Sequence, residues 1–278
     1  MINNTERISA LIITYNEMGY IEKCLESVSF ADEIIVVDSY STDGTYQFLL
    51  NHPKVRVVQK PFVNYTDQKS FALKQASNDW VLFLDADEVI TEPLREEIKI
   101  TATKDSKHSA YWCYRKFMFQ NQRLYFSGWQ TDKNYRLFRK SKVRFCDKKI
   151  VHETLIVNGS SGVLGKPLMH YCYKTYTDYK NKMMKYGRLK AKEAFQQKKT
   201  FNYFSLIVKP LWKFSYNYII RLGILDGKKG IIVCYLNALG EGERYMELKR
   251  LWKKRQHAYS HPLGSRFRHP LKAIQRDT

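Results

Sequence analysis

The stretch Trp80-Val81-Leu82-Phe83-Leu84-Asp85-Ala86-Asp87-Glu88 is the most informative part of this chain. Five apolar residues fit a buried strand, and the run ends abruptly in three acids. Because the ligand of an open α/β sheet lies outside the carboxyl ends of its strands, Asp-x-Asp at such an end can present two carboxylates to one cavity. Hard oxygen ligands of this kind suit Mg²⁺ or Mn²⁺ carrying a diphosphate. The alternative is that Asp85 and Asp87 cap a helix opened by Thr91-Glu92-Pro93-Leu94, since acids favour helix N-termini.

The residues around this stretch show a regular alternation. Strand-like runs at 8–14, 33–37 and 55–58 are each followed by a helical pattern, at 18–29, 42–51 and 66–76. This rhythm predicts βαβ units and a mostly parallel sheet. Short aromatic and β-branched segments between residues 110 and 173 predict antiparallel additions and loops. The chain after residue 175 is predicted to be helical, with breaks at Pro210, at 227–230 and at 240–242.

The composition points to an anionic partner. The 278 residues carry a formal charge of +20, from 47 Lys and Arg against 27 Asp and Glu, and the excess lies mainly after residue 174. Nucleic acid, a membrane surface and a phosphorylated substrate would all satisfy such a charge. The five cysteines are scattered and form no Cys-x-x-Cys pair, so neither a disulfide framework nor a zinc site is expected. No secretion signal and no membrane span are expected either.

One segment of the helical region is amphipathic. Between residues 211 and 222, Lys213, Asn217 and Arg221 fall on one helical face, and the apolar residues fall on another. The apolar residues are Leu211, Trp212, Phe214, Tyr218, Ile219 and Leu222. An aromatic, basic helix of this kind is typical of an interfacial membrane binder. The same apolar face could equally pack on the rest of the protein, and the sequence leaves both possibilities open.

Two further strand ends carry polar loops. The first strand ends in Thr14-Tyr15-Asn16-Glu17, and the second ends in Asp38-Ser39-Tyr40-Ser41-Thr42-Asp43-Gly44-Thr45. The second loop alone resembles an ordinary turn that caps a helix, in which Asp43 holds its own turn. Since parallel strands end at the same edge, both loops are expected to face one crevice with Asp85-Ala86-Asp87.

Together these motifs resemble the inverting family-2 glycosyltransferases. The patterns are Thr-x-Asn-Glu, Val-Asp-x-x-Ser-x-Asp-Gly-Thr and Leu-Asp-Ala-Asp-Glu, within residues 7–95. Further along, Arg136-Leu137-Phe138-Arg139, Val151-His152-Glu153, His170-Tyr171 and Leu225-Asp226-Gly227 resemble the branch that includes lipopolysaccharide core β-glucosyltransferases. The resemblance implies an α/β fold of GT-A type, a Rossmann-like nucleotide-diphospho-sugar transferase domain with a mixed sheet and a helical C-terminal appendage.

The resemblance also implies a division of the chain. Residues 1–173 would form the catalytic domain, with a nucleotide-sugar-binding half at 1–105 and an acceptor half at 106–173. Residues 174–278 would form a basic helical region that associates with a membrane.

The family's roles can be placed on matching residues. Thr14, Tyr15 and Glu17 would line the nucleotide pocket, and Asp38 would hydrogen-bond the uracil or its ribose. Lys69 stands where relatives often place a basic residue near the nucleotide, although Lys lacks the bidentate geometry of the more usual Arg. Asp85 would approach the ribose or the metal. Asp87 would bind Mg²⁺ or Mn²⁺, which neutralises the departing diphosphate.

An inverting transfer also needs a base for the acceptor hydroxyl, and a carboxylate is the usual choice. Glu153 is the first candidate by analogy of position, because this chain has His152-Glu153 where the family commonly has Glu-Asp. Asp132 is the second candidate. His152 could bind metal, contact a phosphate or be structural.

Three further residues are candidates for the acceptor or the diphosphate. Arg136 and Arg139 could meet a phosphate, or could form a solvated face of a strand. Trp129 could stack on a sugar ring, or could be a core aromatic residue.

These expectations combine into one function. The chain would transfer a hexose, glucose from UDP-glucose being the best match, to a lipopolysaccharide core or another lipid-linked or phosphorylated glycan. It would act in the cytoplasm, at the anionic inner face of the cytoplasmic membrane. A nucleotidyltransferase should carry a Gly-rich phosphate loop after the first strand, which residues 14–19 lack. A nucleic-acid-binding module would leave the acidic strand end unexplained, and no nucleic acid is expected as a partner.

Overall fold

The computed structural model describes residues 5–120, 122–146, 154–173 and 175–260. The strands are β1 Ile8–Thr14, β2 Glu33–Asp38, β3 Val55–Gln59, β4 Trp80–Asp85, β5 Glu88–Val89, β6 Ala110–Phe119, β7 Gln122–Arg123, β8 Lys133–Arg139, β9 Val143–Cys146, β10 Thr154–Val157, β11 Ser161–Val163 and β12 Leu168–Tyr173. The α-helices are α1 Ile21–Ser27, α2 Thr45–Leu50, α3 Tyr65–Gln75, α4 Glu92–Thr101, α5 Tyr176–Gln196, α6 Tyr203–Ser215 and α7 Gly227–Ser260. Short turns of other helix types span Lys140–Lys142, Tyr216–Ile220 and Gly223–Asp226.

The N-terminal half is built from the predicted βαβ units. Strand β1 pairs in parallel with β2 and β4, and β2 pairs in parallel with β3. Strand β4 buries Trp80, Leu82 and Leu84 in one hydrophobic cluster, and Val81 and Phe83 in a second cluster on the other face of the sheet. A continuous apolar run is therefore explained by burial on both faces.

The acids after β4 do not cap a helix. Helix α4 begins at Glu92 with Thr91 as its N-cap, and Pro93 occupies the first turn. Asp87 lies four residues before that cap, so the capping interpretation of Asp85 and Asp87 is excluded.

The second half of the sheet curls back on the first. The strand order is β3-β2-β1-β4-β8-β6-β12-β5. Strand β8 is antiparallel to β4 and β6, and β12 is antiparallel to β5, as predicted. Strands β11 and β12 both pair with β6 in parallel, so the antiparallel prediction is wrong for these two pairings. Strand β5 ends this path although only two residues separate it from β4. The sheet therefore closes round the Asp85–Glu88 turn, which is how residues of β8, β6 and β12 reach the acidic strand end.

The helical C-terminal region shares a core with the sheet. Phe117, Phe119 and Tyr173 of the sheet pack with Tyr179 of α5 and with Val233 of α7. Among the described residues, no helix combines the length and the apolar character that crossing a membrane requires. The mixed α/β sheet followed by a helical region is confirmed, whereas the predicted division at residue 173 stays a prediction.

Two glycines let α5 and α7 approach closely. A Cβ on Gly187 would lie 2.4 Å from the carbonyl oxygen of Gly240. Helix α7 runs without interruption through Gly240 and Gly242, so the predicted break at 240–242 is wrong. Pro210 likewise lies inside α6 and does not end it. Gly240 allows the close contact between the two helices. The sequence alone does not distinguish such a glycine from one that forms a turn.

Replacing Gly187 by Ala should destabilise the protein. The added methyl group must displace the α7 backbone, and overpacking of this kind costs about 1–3 kcal/mol. Gly242→Ala is the matched control, because its Cβ would meet nothing nearer than Pro210 Cγ at 3.6 Å. Alanine has a higher helix propensity than glycine, so this variant should gain roughly 0.5–1 kcal/mol of stability. Thermal unfolding of both variants checks this, and equal melting temperatures would contradict it.

Candidate active site

The loops after β1 and β2 are bonded together at the carboxyl edge of the sheet. The backbone N–H of Asn16 donates to Ser41 Oγ at 2.9 Å, and Asn16 Oδ1 accepts from the Thr42 N–H at 2.7 Å. Asp43 accepts from Thr45 in its own turn and from the Met18 N–H of the other loop. The two loops therefore form one unit, and the expected convergence of strand ends is present.

Three residues that are predicted to line the nucleotide pocket lie at the end of β1 and on the loop that follows it. Thr14 is buried, and its Oγ1 has no hydrogen-bond partner among the described residues. The Tyr15 side chain is 58% exposed, which leaves its ring free to cover a base. The Glu17 N–H donates to Thr45 Oγ1, which holds the start of the α1 turn against α2.

Asp38 holds the loop that follows it. Its side chain is fully buried, and it accepts from the Ser41 N–H and Oγ and from Gln59 Nε2 at 3.1 Å. Since both carboxylate oxygens are used inside the protein, this arrangement gives Asp38 a positioning role. The hydrogen bond that the sequence predicts from Asp38 to the uracil or its ribose stays a prediction.

Asp85 is enclosed by cations. Its Oδ2 lies 2.6 Å from an Arg136 nitrogen, and its Oδ1 lies 3.7 Å from Lys69 Nζ. Burial works to raise the pKa of Asp85, but Lys69 and Arg136 outweigh it, so the pKa lies well below its ordinary value. The carboxylate is therefore ionised and already paired on both oxygens. This pairing gives Asp85 an electrostatic contact with both cations, and its predicted approach to the ribose or the metal stays a prediction.

Glu88 continues this network into the protein. The side chain is completely buried, and its Oε1 lies 2.5 Å from Arg136 and 3.4 Å from Arg115. Arg115 in turn donates to Asp132 Oδ1 at 2.8 Å. Burial works to lower the pKa of Arg136, but Glu88 and Asp85 raise it above its ordinary value. One guanidinium nitrogen of Arg136 thus binds two carboxylates, and its predicted contact with a phosphate stays a prediction.

Asp87 faces a different group of residues. Its Oδ1 is buried without a hydrogen-bond partner in the described part of the chain and lies 3.5 Å from His170 Nε2. Burial works to raise the pKa of Asp87, but His170 outweighs it and the net direction is downward. Burial likewise works to lower the pKa of His170, but Cys172 and Asp87 raise it well above its ordinary value. Asp87 therefore carries its negative charge in a buried position.

The residues present fit a divalent cation that takes part of its coordination from a bound diphosphate. Within the described ranges, no three or more His, Cys, Asp or Glu side chains form a group that could hold a metal ion by themselves. Mg²⁺ characteristically uses only one or two carboxylates and completes its shell with phosphate oxygens and water. Asp87 Oδ1 suits that arrangement, because it is paired with His170 only at 3.5 Å, accepts no hydrogen bond from the described residues and belongs to an ionised carboxylate, as a metal ligand must.

Two cavities lie at the two ends of the charge network. The first, of about 190 Å³, is lined by Lys69, Phe83 and Arg136 together with Phe145 and Leu155 of the β9–β10 hairpin. The second, of about 350 Å³, lies between the β7–β8 loop and the helical region. Its lining consists of Ser127, Gly128, Trp129, Thr131, Asp132, Lys213, Asn217 and Asn237. The chain Arg136–Glu88–Arg115–Asp132 connects the walls of the two cavities.

The second cavity is held open by bonds to the helical region. Asp226, the residue directly before α7, accepts from the N–H groups of Tyr125 and Phe126 and from Ser127 Oγ. Gln130 exchanges hydrogen bonds with Arg221. These bonds fix the loop that carries Trp129 and Asp132.

Of the remaining predicted site residues, Trp129 lies at the second cavity and Arg139 does not lie at the site. Trp129 stacks on Phe117 with 4.2 Å between ring centroids, so one face of the indole belongs to the core while its residue still lines the second cavity. Arg139 lies at the opposite end of β8, where it bonds Glu6 and Asp79 and covers Trp80. The structure therefore does not bring Arg139 to the site. Glu153 and His152 lie outside the described residues.

Sequence reasoning missed several residues that build this site. Glu88 stands inside the quoted motif but received no role, although its position directly before the apolar Val89-Ile90 is a signal of burial. Arg115 carries no comparable signal, because its contacts arise only when β6 lies beside β8 and the sheet curls. Lys182 of α5 was also missed, and its charge is one of the groups that lower the pKa of Asp87.

Neutralising Glu88 should strongly destabilise the protein. Glu88→Gln leaves Arg136 and Arg115 buried with less compensating charge, and breaking a buried pair typically costs about 3–5 kcal/mol. Glu92→Gln is the matched control, since Glu92 pairs with Arg95 at 3.0 Å on an exposed surface of α4 and such pairs contribute roughly 0–1 kcal/mol. Denaturant unfolding of both variants measures the difference. Equal losses of unfolding free energy in the two variants would show that the buried network does not stabilise the fold.

The chain is similar to known proteins in sequence and in structure. The profile of the family described as Glycosyl transferase family 2 matches residues 9–156, more than half of the chain. An uncharacterised glycosyltransferase of Rickettsia conorii is 31% identical over 258 residues, which cover 89% of this chain and 90% of the relative. The lipopolysaccharide core biosynthesis glycosyltransferase LpsC of Rhizobium meliloti is 29% identical, with 83% and 90% of the two chains covered.

Solved structures show a weaker likeness. The mannosyltransferase PcManGT of Pyrobaculum calidifontis, in complex with GDP-Man and Mn²⁺, is 15% identical at a TM-score of 0.48, with 90% of this chain and 88% of that chain covered. The strand order and register of the chain itself have the mixed, curled α/β form expected of a GT-A domain. The match of the family profile and the identity to the Rickettsia protein show that this chain belongs to glycosyl transferase family 2.

Proposed function

We propose that this glycosyltransferase is an inverting, metal-dependent hexosyltransferase that acts on a membrane-associated glycan. The proposed donor is a UDP-sugar, with UDP-glucose the best match, and the proposed acceptor is a lipopolysaccharide core or another lipid-linked or phosphorylated glycan. The observation that carries the proposal is the meeting of Thr14, Asp85 and Asp87 at one edge of the sheet, where Thr14 Oγ1 and Asp87 Oδ1 are buried and make no hydrogen bond to any described residue. The similarity to LpsC, named for lipopolysaccharide core biosynthesis, supports the class of acceptor.

The donor would lie over the joined loops after β1 and β2. Tyr15 offers an exposed aromatic ring for the base, and Thr14 Oγ1 offers a buried polar atom nearby. Lys69 stands beside Asp85 and would contribute positive charge close to the diphosphate. Asp87 would hold Mg²⁺ or Mn²⁺, and the bound cation would supply charge neutralisation for the departing nucleoside diphosphate.

Asp132 is the best base among the described residues. Arg115 holds its Oδ1, while Oδ2 is buried and accepts no hydrogen bond within the part of the chain that the structure describes. A carboxylate oriented through one oxygen leaves the other to accept a proton. In the displacement, the acceptor oxygen bonds to the anomeric carbon as the bond to the diphosphate breaks, and its proton passes to Asp132. Glu153 remains the alternative base.

The second cavity would receive the acceptor. It carries Asp132 on its wall, and Trp129 lies there with one ring face already packed against Phe117. Lys213 adds a positive charge to the same wall, and burial works to lower its pKa. A lysine in such a position is stabilised by an anion, so a phosphate of the acceptor fits this cavity.

Donor turnover should depend on a metal and on Asp87. Slow hydrolysis of UDP-, GDP-, ADP- and dTDP-sugars by the purified protein should release one nucleoside diphosphate with Mn²⁺ or Mg²⁺. EDTA or Asp87→Ala should lower the rate by at least about a hundredfold, because the charge that develops on the leaving group loses its counter-charge.

Asp79→Asn is the control for this experiment, because Asp79 precedes β4 at the opposite end of the strand and pairs with Arg139. It should keep the metal-dependent hydrolysis. A donor that is bound and hydrolysed equally well by Asp87→Ala would contradict the role of Asp87. Neither binding nor hydrolysis of any donor would contradict the proposed function.

Removing the base should affect chemistry and spare donor binding. Asp132→Asn should reduce kcat for glycosyl transfer roughly 10²–10⁴-fold, the usual contribution of a general base. The KM for the donor should stay near that of the wild type. Glu153→Gln provides the comparison, and a collapse of kcat in that variant with normal turnover in Asp132→Asn would assign the base to Glu153.

A further inference from the structure

Helix α6 presents its apolar side chains outward. In helices of water-soluble proteins the apolar face packs on the core and the polar face meets solvent. Here no residue of α6 is fully buried, whereas Asn217 in the following turn is buried to 2% exposure and lines the second cavity with Lys213. Leu211 and Trp212, on the other side, are 62% and 61% exposed. Most of the amphipathic face that the sequence left undecided is therefore exposed, and only Phe214 and Tyr218 of that face are half-buried.

The exposed apolar residues continue beyond α6. Twelve large hydrophobic side chains between residues 203 and 235 are each 44–70% exposed. They are Tyr203, Phe204, Ile207, Leu211, Trp212, Ile219, Ile220, Leu222, Ile224, Leu225, Ile231 and Tyr235, and we call them the docking surface. Soluble monomers seldom expose so many large apolar residues from one short segment, and such surfaces mark interaction sites.

The turn between α6 and α7 helps to present this surface. Leu222 adopts a left-handed backbone conformation with φ of 55°, which a leucine rarely takes. Leu222, Ile224 and Leu225 are nevertheless exposed, so no core contact of their side chains accounts for the unusual backbone. Asp226 anchors the turn from inside through its bonds to the loop at 125–127. The apolar side chains thus stand on a rigidly tied turn.

The charge of this segment identifies the partner. Residues 194–240 contain seven Lys and Arg but a single acid, Asp226, and that acid is buried and bonded inside the protein. Lys209 and Lys228 are exposed beside the docking surface. A cationic rim around aromatic and aliphatic side chains complements an anionic lipid surface, in which the rings lie at the headgroup level and the lysines meet the phosphates. A second copy of this equally cationic surface would be repelled.

We infer that the docking surface binds this protein to the interface of an anionic phospholipid bilayer. Lys213 and Asn217 of the second cavity lie on the reverse side of the same segment. Docking would therefore place the cavity just above the lipid headgroups, within reach of a glycan held in the membrane. Only this last consequence rests on the proposed function; lipid binding itself does not.

Vesicle sedimentation with the full chain tests the inference. Wild-type protein should bind vesicles of phosphatidylcholine with about one-third phosphatidylglycerol, and should bind pure phosphatidylcholine much less. Trp212→Asp combined with Ile220→Asp should weaken binding by at least about tenfold, because two large apolar side chains leave the interface. Ile100→Asp is the matched control, since Ile100 is 76% exposed on α4, outside the docking surface. It should bind like the wild type.

Three outcomes would overturn the inference. They are absence of wild-type binding, equal binding by the double variant, and a wild-type dimer in analytical ultracentrifugation that the double variant dissociates, because a second copy would then cover the surface. Melting temperature and donor hydrolysis without vesicles separate this test from the proposed function. Both should be unchanged in the double variant, so a loss of lipid binding with normal hydrolysis concerns the surface alone.

Discussion

The structure depends on the buried carboxylate of Glu88 between Arg136 and Arg115. A buried charge costs free energy unless it is paired and hydrogen-bonded. Glu88 meets this condition only when β8 and β6 are both in register with the acidic strand end, since each supplies one arginine. The pairing therefore couples the curl of the sheet to the position of the Asp85–Glu88 turn.

This coupling has a chemical consequence. Asp85 and Asp87 are neighbours in sequence, yet the structure gives them different surroundings. Asp85 is neutralised by Lys69 and Arg136, whereas Asp87 faces His170 and keeps an oxygen without a hydrogen bond. Two carboxylates two residues apart can thus serve different purposes, one electrostatic and one suited to a cation, because the strands on either side of the turn deliver different partners.

The helical region forms part of the wall of the second cavity. Asp226 and Arg221 bond the loop that carries Trp129 and Asp132, so the wall of the second cavity exists only with the helices in place. Since the polar side chains of this segment are used for the cavity, its apolar side chains are left outside. One helical segment therefore shapes a polar cavity on one side and an apolar surface on the other.

The sequence and the tertiary structure determine different properties of this protein. The burial of β4, the βαβ order and the meeting of polar strand ends could be predicted, because periodicity and the direction of parallel strands are local properties of the chain. The arginine partners of Asp85 and Glu88 could not, since Arg115 and Arg136 come from strands about 30 and 50 residues away whose register only the folded sheet decides. The continuity of α7 through Gly240 was hidden for a similar reason. A glycine that allows a close helix contact has the same sequence signature as one that ends a helix, and only the position of Gly187 opposite Gly240 distinguishes them.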